Sequence, residues 1–405
     1  MRFAMMTTFY PPFSYGGDAT YVRALARSLV ARGHEVDVIA STDAYLVRSP
    51  WPDALPTQEE DGVRVHRLRH PLGSAAALVS QQTGRSGFYT GALRRLLATP
   101  YDVLHFHNIS LLGGPGILAM GTARARLYSL HEHWLVCSTH ILWKNREKAC
   151  DRPTCFSCSI RSGLPPQLWR YTSLRDRKLE HVDRLLSPSL FTAERHRKGG
   201  VTRPISVLPL FSSLDPPAAP MAASDRPSIL FVGRVTASKG VEQLLRVAAQ
   251  LPDIDCLIVG DGDLRASLAA RYAAHSHIRF TGPVPQAALI DHYQRASALV
   301  MPSIAPETFG LTVVEAAACG TPAIVTAGSG GAAEIVTATG AGLLYEGDQA
   351  LSAAIRQLAG DSSLRDRLGA LARRGYEERY TAKQHVDAYL GEVDAILAHK
   401  SSCAR

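Results

Sequence analysis

Two glutamates lie eight positions apart in a stretch that runs from a loop into a helix. Residues 312–319 are small and apolar at helical spacing, and Gly320 and Pro322 end that pattern, so Glu315 is predicted in the helix and Glu307 in the preceding loop. A carboxylate can accept two adjacent hydroxyl donors at once, so we expect Glu315 to bind the hydroxyls of a ribose.

The start of the same predicted helix suits an anion. The backbone N–H groups around Phe309, Gly310 and Leu311 have no partner within the helix, and the helix dipole favours negative charge there. A diphosphate joined to a sugar fits this position. The alternative is a surface helix that carries two acidic residues by chance.

Two further groups of residues could hold a phosphate. Gly16 and Gly17 precede the first predicted helix, where the absence of side chains would let a phosphate approach the N–H groups, although a tight turn also explains a glycine. Arg234 ends a predicted strand and Lys239 opens the next helix, so both cations could neutralise one diphosphate. Groups that stabilise charge which develops only in the transition state lower the barrier of the reaction.

Short apolar strands alternate with amphipathic helices along both halves of the chain, which predicts an α/β fold with parallel sheets covered on both faces. A helix is expected over residues 19–32 with Gly33 as its stop, and others over 241–250 and 264–272. Strands are expected over residues 3–6, 36–39, 63–67, 103–106, 126–129 and 184–187 in the first half, and 229–232, 256–259, 278–280, 298–301 and 323–325 in the second.

The length of 405 residues favours two domains. We predict an N-terminal Rossmann-like domain over residues 1–208, a proline-rich linker over 209–226 and a C-terminal domain over 227–375. A last helical segment, 376–405, is expected to pack back on the first domain. Ligands of such sheets bind beyond the carboxyl ends of the strands, so the predicted site lies in a cleft between the domains.

With these elements in place, the chain resembles the retaining glycosyltransferases of family 4, which have the GT-B fold of two Rossmann-like doubly wound domains facing across a cleft. The resemblance covers nearly all of the chain. It is carried by five segments in order: residues 9–17 (FYPPFSYGG), 33–36 (GHEV), 233–235 (GRV) with 238–240 (SKG), 259–262 (VGDG), and the block that contains the two glutamates.

The resemblance implies roles for four catalytic residues. Arg234 and Lys239 would stabilise the leaving diphosphate without a divalent metal, and Glu307 would hold a ring hydroxyl or stabilise the cationic sugar. His131 follows a strand end in the first domain and would contact the donor sugar. The implied reaction retains the anomeric configuration by front-face substitution, and no side chain stands out as a general base.

Further residues, inside and outside these segments, are expected to bind substrates. Gly233, Gly260 and Gly262 would let the backbone approach the nucleotide, although a plain β–α turn explains the last two nearly as well. His107 and Asn108 are candidates for the acceptor side. A hydrogen-bonded structural histidine is the alternative for His107.

Four cysteines cluster within a predicted insertion over residues 135–165, with the spacing C-x12-C-x4-C-x2-C: Cys137, Cys150, Cys155 and Cys158. Four thiolates with a C-x2-C arm suit a tetrahedral zinc ion that would order a segment with no core of its own. Free or redox-active thiols and an iron–sulfur cluster are the alternatives. Catalysis itself is expected to need no cofactor.

Charge is uneven along the chain. Residues 1–205 contain 27 Lys and Arg against 16 Asp and Glu, and residues 206–405 contain 17 against 20. A basic first half can attract a phosphate-bearing acceptor or an anionic membrane face, or it is simply a solvated surface. Nucleic acid is disfavoured, because neither a stacking platform nor a helix-turn-helix pattern accompanies the charge.

Several functions fit these features. The chain has no apolar run of 18 residues and no secretory leader pattern, so a cytoplasmic protein is expected, with membrane association as a further option. A glycosyltransferase that uses a UDP- or GDP-sugar and a hydroxyl acceptor is the leading hypothesis. A catalytically silent sugar-nucleotide-binding subunit and a GT-B sugar phosphorylase or hydrolase are the alternatives.

Overall fold

The computed structural model describes residues 1–47, 59–214, 216 and 226–403. The chain forms two compact units. The first comprises Met1–His140, Cys155–Leu208 and Ala382–Arg405, and the second comprises Ile141–Thr154 and Pro209–Thr381.

Parallel strands make up the sheet of the first unit, in the order β10-β9-β6-β5-β1-β2-β4-β3, with only β3 antiparallel to its neighbour among the described strands. A separate antiparallel hairpin, β7 with β8, lies in the part of the Cys-rich insertion that belongs to the second unit. The strands are β1 (Arg2–Met6), β2 (Glu35–Ser41), β3 (Glu59–Glu60), β4 (Val63–Leu68), β5 (Tyr101–Phe106), β6 (Ala123–Ser129), β7 (Trp143–Lys144), β8 (Lys148–Ala149), β9 (Arg184–Ser187) and β10 (Ile205–Val207).

Several helices of this unit pack through apolar side chains. The first helix, for example, buries Val22, Leu25 and Leu29, which recur at helical spacing and are inaccessible to solvent. The helices are α1 (Gly17–Val30), α2 (Thr42–Tyr45), α3 (Ser74–Thr83), α4 (Thr90–Leu96), α5 (Cys155–Arg161), α6 (Leu174–Leu179) and α7 (Leu190–Lys198), with 3₁₀ turns at Gly87–Tyr89, Gly114–Ala119 and Leu168–Tyr171.

The second unit contains a parallel sheet in the order β13-β12-β11-β14-β15-β16. Its strands are β11 (Ser228–Val232), β12 (Asp255–Val259), β13 (Ile278–Gly282), β14 (Ala298–Met301), β15 (Ala323–Thr326) and β16 (Gly342–Tyr345). Its helices are α8 (Val241–Ala248), α9 (Arg265–Arg271), α10 (Gln286–Arg295), α11 (Leu311–Ala318), α12 (Gly331–Thr339), α13 (Gly347–Gly360) and α14 (Ser362–Arg379), and a 3₁₀ turn covers Ala237–Lys239.

The last helix, α15 (Ala382–Cys403), belongs to the first unit. Tyr389 is fully buried there, and its hydroxyl lies 3.0 Å from Nδ1 of His105. Glu392 forms an ion pair with Arg184 at 2.9 Å. The C-terminal segment therefore contributes a buried face to the unit that contains the N-terminus.

The predicted strands are confirmed to within a few residues at each end, and the α/β fold of parallel sheets is confirmed. Of the predicted linker, residues 215 and 217–225 lie outside the described residues. Its first part packs within the second unit, because Phe211 and Leu214 are buried and the N–H of Ser212 donates to the carbonyl of Tyr380 at 3.3 Å. No helix among the described residues has the length and apolar content that a membrane crossing requires.

Candidate functional site

In the second unit, the predicted donor-binding residues lie at the point where the order of the strands reverses. The chain passes from β11 to β12 on one side and returns to β14 on the other, so the loops that follow β11 and β14 begin side by side. Ligands of doubly wound sheets bind at this position. The two loops are joined here, because the carbonyl of Ser238 accepts hydrogen bonds from the N–H groups of Ile304 and Ala305 at 3.0 and 2.9 Å.

Lys239 and Glu307 are brought together at this point. Nζ of Lys239 lies 2.6 Å from Oε1 of Glu307, and the hydroxyl of Ser303 donates to the same oxygen, also at 2.6 Å. Both charged side chains are only about one-fifth exposed, with relative accessibilities of 21% and 17%. An ammonium group has three donors, so Lys239 can hold Glu307 and still donate to an anion.

Arg234 directly follows Gly233 at the end of β11 and is exposed. Within the described part of the chain its guanidinium forms neither a hydrogen bond nor an ion pair. The two predicted cations thus differ: Lys239 is held in place by a carboxylate, whereas Arg234 keeps all of its donors available.

The start of α11 is shaped by Gly310. Gly310 caps this helix at a φ of 119°, a conformation that side chains other than glycine rarely adopt, and a Cβ there would lie 2.7 Å from Cβ of Ala332. Glycine provides no side chain to cap the N–H groups of the first turn. Phe309, which precedes Gly310, is buried and packs on Tyr380 with ring centroids 5.9 Å apart. This contact fixes the direction from which the chain enters the helix that begins at Leu311.

Glu315 lies on the buried side of α11. Its Oε2 accepts a hydrogen bond from the Tyr293 hydroxyl at 2.8 Å, and the residue is only 7% exposed. Burial raises the pKa of Glu315 from 4.5 to about 7, although the bond from Tyr293 opposes that shift. A carboxyl group that changes charge near neutral pH beside a predicted nucleotide site is a candidate for function.

The glycines after β12 pack against the chain that follows β11. A Cβ on Gly260 would lie 2.0 Å from the carbonyl oxygen of Gly233, and one on Gly262 would lie 2.3 Å from that of Val235. Gly260 also has a φ of 129°. Close packing of two loops thus accounts for Gly260 and Gly262, and their predicted contact with a nucleotide stays a prediction.

Replacing Gly260 with alanine should destabilise the protein by at least about 2 kcal/mol, because the new methyl group overlaps a carbonyl oxygen at a strained φ. Urea denaturation measures the free energy of unfolding. Gly328→Ala is the matched control, since Gly328 has open space around its Cα and should tolerate the methyl group. Equal stability of the two variants would show that the loops can move apart.

In the first unit, His107 and Asn108 directly follow β5, and His131 follows β6, the neighbouring strand. The side chains of the two histidines meet, with Nδ1 of His107 2.9 Å from Nε2 of His131. The ring of Tyr21 lies 5.1 Å from that of His131. The structure therefore brings the predicted catalytic histidine and one predicted acceptor-side residue into direct contact.

These histidines are neutral at ordinary pH. Burial lowers the pKa of His131 to about 3, with the charge of His385 as a smaller cause, and it lowers the pKa of His107 well below 6.5. A neutral imidazole of such low basicity is a poor proton acceptor. His131 can contribute its ring or its backbone carbonyl to a sugar, but it is unsuited to general-base catalysis.

Asp18 is a polar residue of this region that the sequence analysis missed. It lies in the first turn of α1 after Gly16 and Gly17, and its Oδ2 accepts a hydrogen bond from Nδ2 of Asn108 at 3.4 Å. Burial and the nearby charge of Glu132 raise the pKa of Asp18. The position of an acidic residue directly after two glycines at a helix start was the available signal.

Gly16 and Gly17 are both exposed where α1 begins. Gly16 has a φ of −160°, an extended conformation that any residue adopts, so the turn itself does not require glycine there. The backbone conformation at Gly16 therefore does not support the alternative explanation, in which a tight turn requires glycine.

The predicted zinc ligands do not form a metal site in the structure. Among residues 1–47, 59–214, 216 and 226–403, no group of three or more His, Cys, Asp or Glu side chains is placed to hold a metal ion. Two of the thiols instead lie beside hydroxyl groups: Sγ of Cys137 is 3.2 Å from the Thr139 hydroxyl, and Sγ of Cys158 is 3.9 Å from that of Ser162. The expected set of four zinc ligands is thus not assembled among these residues.

Thiol labelling distinguishes the arrangement in the structure from the zinc hypothesis. In the structure, Cys137 and Cys158 are buried and Cys403 is exposed, so Cys403 should react first with a thiol reagent and the buried pair only slowly. The zinc hypothesis instead predicts about one zinc per chain and release of all four clustered thiols together when a chelator is added. Metal analysis with timed labelling decides between them.

Comparisons with known proteins agree with this arrangement. The family model described as "Glycosyl transferase 4-like domain" matches residues 16–210, and the one described as "Glycosyl transferases group 1" matches residues 218–375. The D-inositol 3-phosphate glycosyltransferase of Kribbella flavida is 28% identical over 95% of this chain and 92% of its own.

Solved structures share the fold. Sucrose-phosphate synthase from Thermosynechococcus elongatus aligns over 100% of both chains with a TM-score of 0.74 and 21% identity. The Anabaena protein HepE, solved in complex with UDP and glucose, aligns over 97% of this chain and 99% of its own with a TM-score of 0.66 and 16% identity. Two α/β units with parallel sheets, matched in order by the two glycosyltransferase family models, show that this chain is a glycosyltransferase of the GT-B fold and belongs to the family 4-like group.

Proposed function

We propose that the protein transfers a sugar from a nucleoside-diphosphate sugar, with a UDP- or GDP-sugar as the favoured donor, to a hydroxyl group of an acceptor. The reaction retains the anomeric configuration and uses no catalytic metal. The acceptor is a glycan, a lipid-linked saccharide or a natural product.

The observation that carries this proposal is the set of side chains beside the start of α11. A partly buried ammonium, Lys239, lies 2.6 Å from the carboxylate of Glu307, and the glycine-capped helix start and the buried Glu315 follow within eight residues. This set combines a cation for a diphosphate with carboxylates for sugar and ribose hydroxyls. The solved relative that binds UDP and glucose supports the same class of donor.

In the proposed reaction, Arg234 and Lys239 stabilise the negative charge that develops on the diphosphate as the bond between sugar and oxygen breaks. Glu307 holds a hydroxyl of the transferred sugar, and Glu315 holds the ribose. The phosphate oxygen that leaves takes the proton of the acceptor hydroxyl on the same face of the sugar, which gives retention. His131 contacts the sugar as a neutral group, since the pKa of its imidazole is about 3.

The first unit is proposed to bind the acceptor. His107 and Asn108 follow β5 and are the proposed acceptor-side residues, with Nδ1 of His107 2.9 Å from Nε2 of His131. Gly16 and Gly17 are proposed to serve the donor instead, because they leave the start of α1 open to its phosphate group. Asp18 and Glu132 add carboxylates that can accept hydrogen bonds from acceptor hydroxyls.

We also propose a cytoplasmic location with contact to an anionic membrane face. The cysteines form no disulfide among the described residues, as in reducing compartments. The excess of basic residues in the first half of the sequence supports attraction to anionic lipid.

Thermal unfolding with a panel of UDP-, GDP-, dTDP- and ADP-sugars tests the donor. A true donor should raise the melting temperature, because it binds only the folded state. The donor found in this way is then incubated with each acceptor class, and the configuration of the new glycosidic bond is read by proton NMR. An α-linked donor should give an α-linked product.

The alternatives give different results in the same experiment. A catalytically silent subunit binds a sugar nucleotide but neither transfers nor hydrolyses the sugar with any acceptor. A phosphorylase releases sugar phosphate only when inorganic phosphate is added, and an inverted product would rule out front-face retention.

A further inference from the structure

The first unit contains a basic cavity that is separate from the residues discussed above. Its volume is about 630 Å³, within the range of sites that hold small ligands. Its charged and titratable lining consists of Arg85, Arg94, Arg177, Lys178, Glu180 and His181.

The cavity lies at the amino ends of the strands. Arg94 is in the last turn of α4, shortly before β5; Met120 shortly precedes β6; and His181 shortly precedes β9. These three strands are neighbours in the sheet. His107 and His131 follow the carboxyl ends of β5 and β6. The cavity and the proposed acceptor residues therefore lie at opposite ends of these strands.

Tight local packing fixes the turn that carries Arg85. The N–H of Gly116 donates to the carbonyl of Gly84 at 2.8 Å, and a Cβ on Gly116 would lie 2.9 Å from Cα of Arg85. Next to this turn, the hydroxyls of Ser86 and Thr90 are 2.7 Å apart. The hydroxyl of Thr90 also donates to the carbonyl of Gly87 at 2.7 Å, so both hydroxyl protons are used within this turn. These hydrogen bonds hold one wall of the cavity in place beside a guanidinium.

The basic side chains of the cavity lack acidic partners. Arg85, Arg94, Arg177 and Lys178 form no ion pair with any residue in the described part of the chain, and Glu180 is the only carboxylate in the lining. Elsewhere on this unit arginines are commonly paired, as Arg184 is with Glu392 at 2.9 Å. Several unpaired cations around one cavity create a strong positive potential.

Helix position explains only part of this charge. Arg94, Arg177 and Lys178 lie in the last turns of α4 and α6, where cations favour the helix dipole, but Arg85 lies in a turn and not at a helix end. The helix ends themselves carry partial negative charge, so any anion bound here must be held by the side chains.

We propose that this cavity is a binding site for a phosphate group, separate from the transfer site. Guanidinium groups bind phosphate oxygens through two parallel hydrogen bonds, and the ammonium group of Lys178 supplies further donors. The phosphate comes either from a free phosphorylated molecule or from the headgroup of an anionic lipid. A phosphate group bound at the amino ends of the strands leaves the proposed acceptor residues unoccupied.

The test compares two double variants that each remove two positive charges from the first unit. Arg94→Ala with Arg177→Ala alters the cavity, whereas Arg95→Ala with Lys198→Ala removes charges that do not line it. Thermal unfolding of both variants verifies the fold. Inorganic pyrophosphate is the free-phosphate probe, measured by titration calorimetry, and vesicles of equimolar phosphatidylcholine and phosphatidylglycerol are the lipid probe, measured by co-sedimentation.

The cavity variant should bind at least one of the two probes about tenfold more weakly, or worse, than the control variant, because charged hydrogen bonds are lost. A loss with pyrophosphate identifies a soluble phosphate ligand, and a loss with vesicles alone identifies a lipid headgroup. Since Lys239 could also bind pyrophosphate, the titration is repeated in the Lys239→Ala background, where the same difference should persist. Equal binding of both probes by the cavity and control variants would overturn the proposal.

Discussion

Replacement of Lys239 with alanine is expected to reduce the rate of sugar transfer about 100-fold or more. A single preorganised donor that stabilises charge developing in a transition state commonly contributes this much. Lys239 is suited to that role because it is partly buried, where solvent screens its charge less, and because its position is fixed by Glu307 at 2.6 Å. Single-turnover assays with the donor found in the thermal screen measure the rate of transfer. Steady-state assays give kcat and KM.

The ion pair with Glu307 makes a second explanation testable, namely that Lys239 only positions that carboxylate. Glu307→Gln, which keeps the shape of the side chain, and the double variant complete a mutant cycle. If Lys239 acts on the diphosphate, its removal should slow the reaction by a similar factor whether residue 307 is Glu or Gln. A double variant no slower than Glu307→Gln alone would assign Lys239 a positioning role only.

The strands were predictable because parallel strands buried on both faces read as short apolar runs. Residues 184–187 form β9 with the predicted ends, and residues 298–301 form β14 in the same way. Three short strands at the sheet edges were not predicted, namely Glu59–Glu60, Ile205–Val207 and Gly342–Tyr345. Such short edge strands offer too few residues for a pattern to appear, and they depend on the neighbouring strand for their hydrogen bonds.

The site was predictable where residues directly follow strands and much less so where distant helices meet. Lys239 and Glu307 come together because the loops that contain them follow neighbouring strands. Both residues also lie in segments that carry the resemblance to family 4. The hydrogen bond between Tyr293 and Glu315 depends on the packing of α10 against α11. The sequence around Tyr293 contains no local pattern that predicts this hydrogen bond. The cysteine spacing suggested zinc, yet spacing alone does not determine where the side chains of a folded segment point.

The environment of Glu315 gives the protein a pH-dependent property. The pKa of this carboxyl is about 7 in the folded state and 4.5 in the reference state, so the folded protein retains a proton that the unfolded chain releases between these values. Its contribution to the free energy of unfolding is therefore largest below pH 4.5 and declines as the pH rises through 7. Glu315→Gln, which stays neutral, should remove this decline, as urea denaturation at several pH values would show.

Nucleotide binding should be coupled to the same proton. Ribose hydroxyls donate hydrogen bonds to an ionised carboxylate, so the affinity for a nucleotide sugar should rise about tenfold from about pH 6 to about pH 8 as the ionised fraction of Glu315 increases. A nucleotide sugar is a better probe than a free nucleoside diphosphate, whose terminal phosphate also titrates in this range. Calorimetric titration across this range gives the dissociation constants.

Two variants show whether Glu315 is the titrating group. Glu315→Gln should bind more weakly at the higher pH and lose the pH dependence, since it cannot ionise. Tyr293→Phe removes the hydrogen bond that lowers the pKa of Glu315, so the midpoint of the affinity change should move to higher pH while the dependence remains. A carboxyl group with a purely structural role would leave the pH profile of nucleotide-sugar binding the same in all three proteins, because its protonation would then be independent of the ligand.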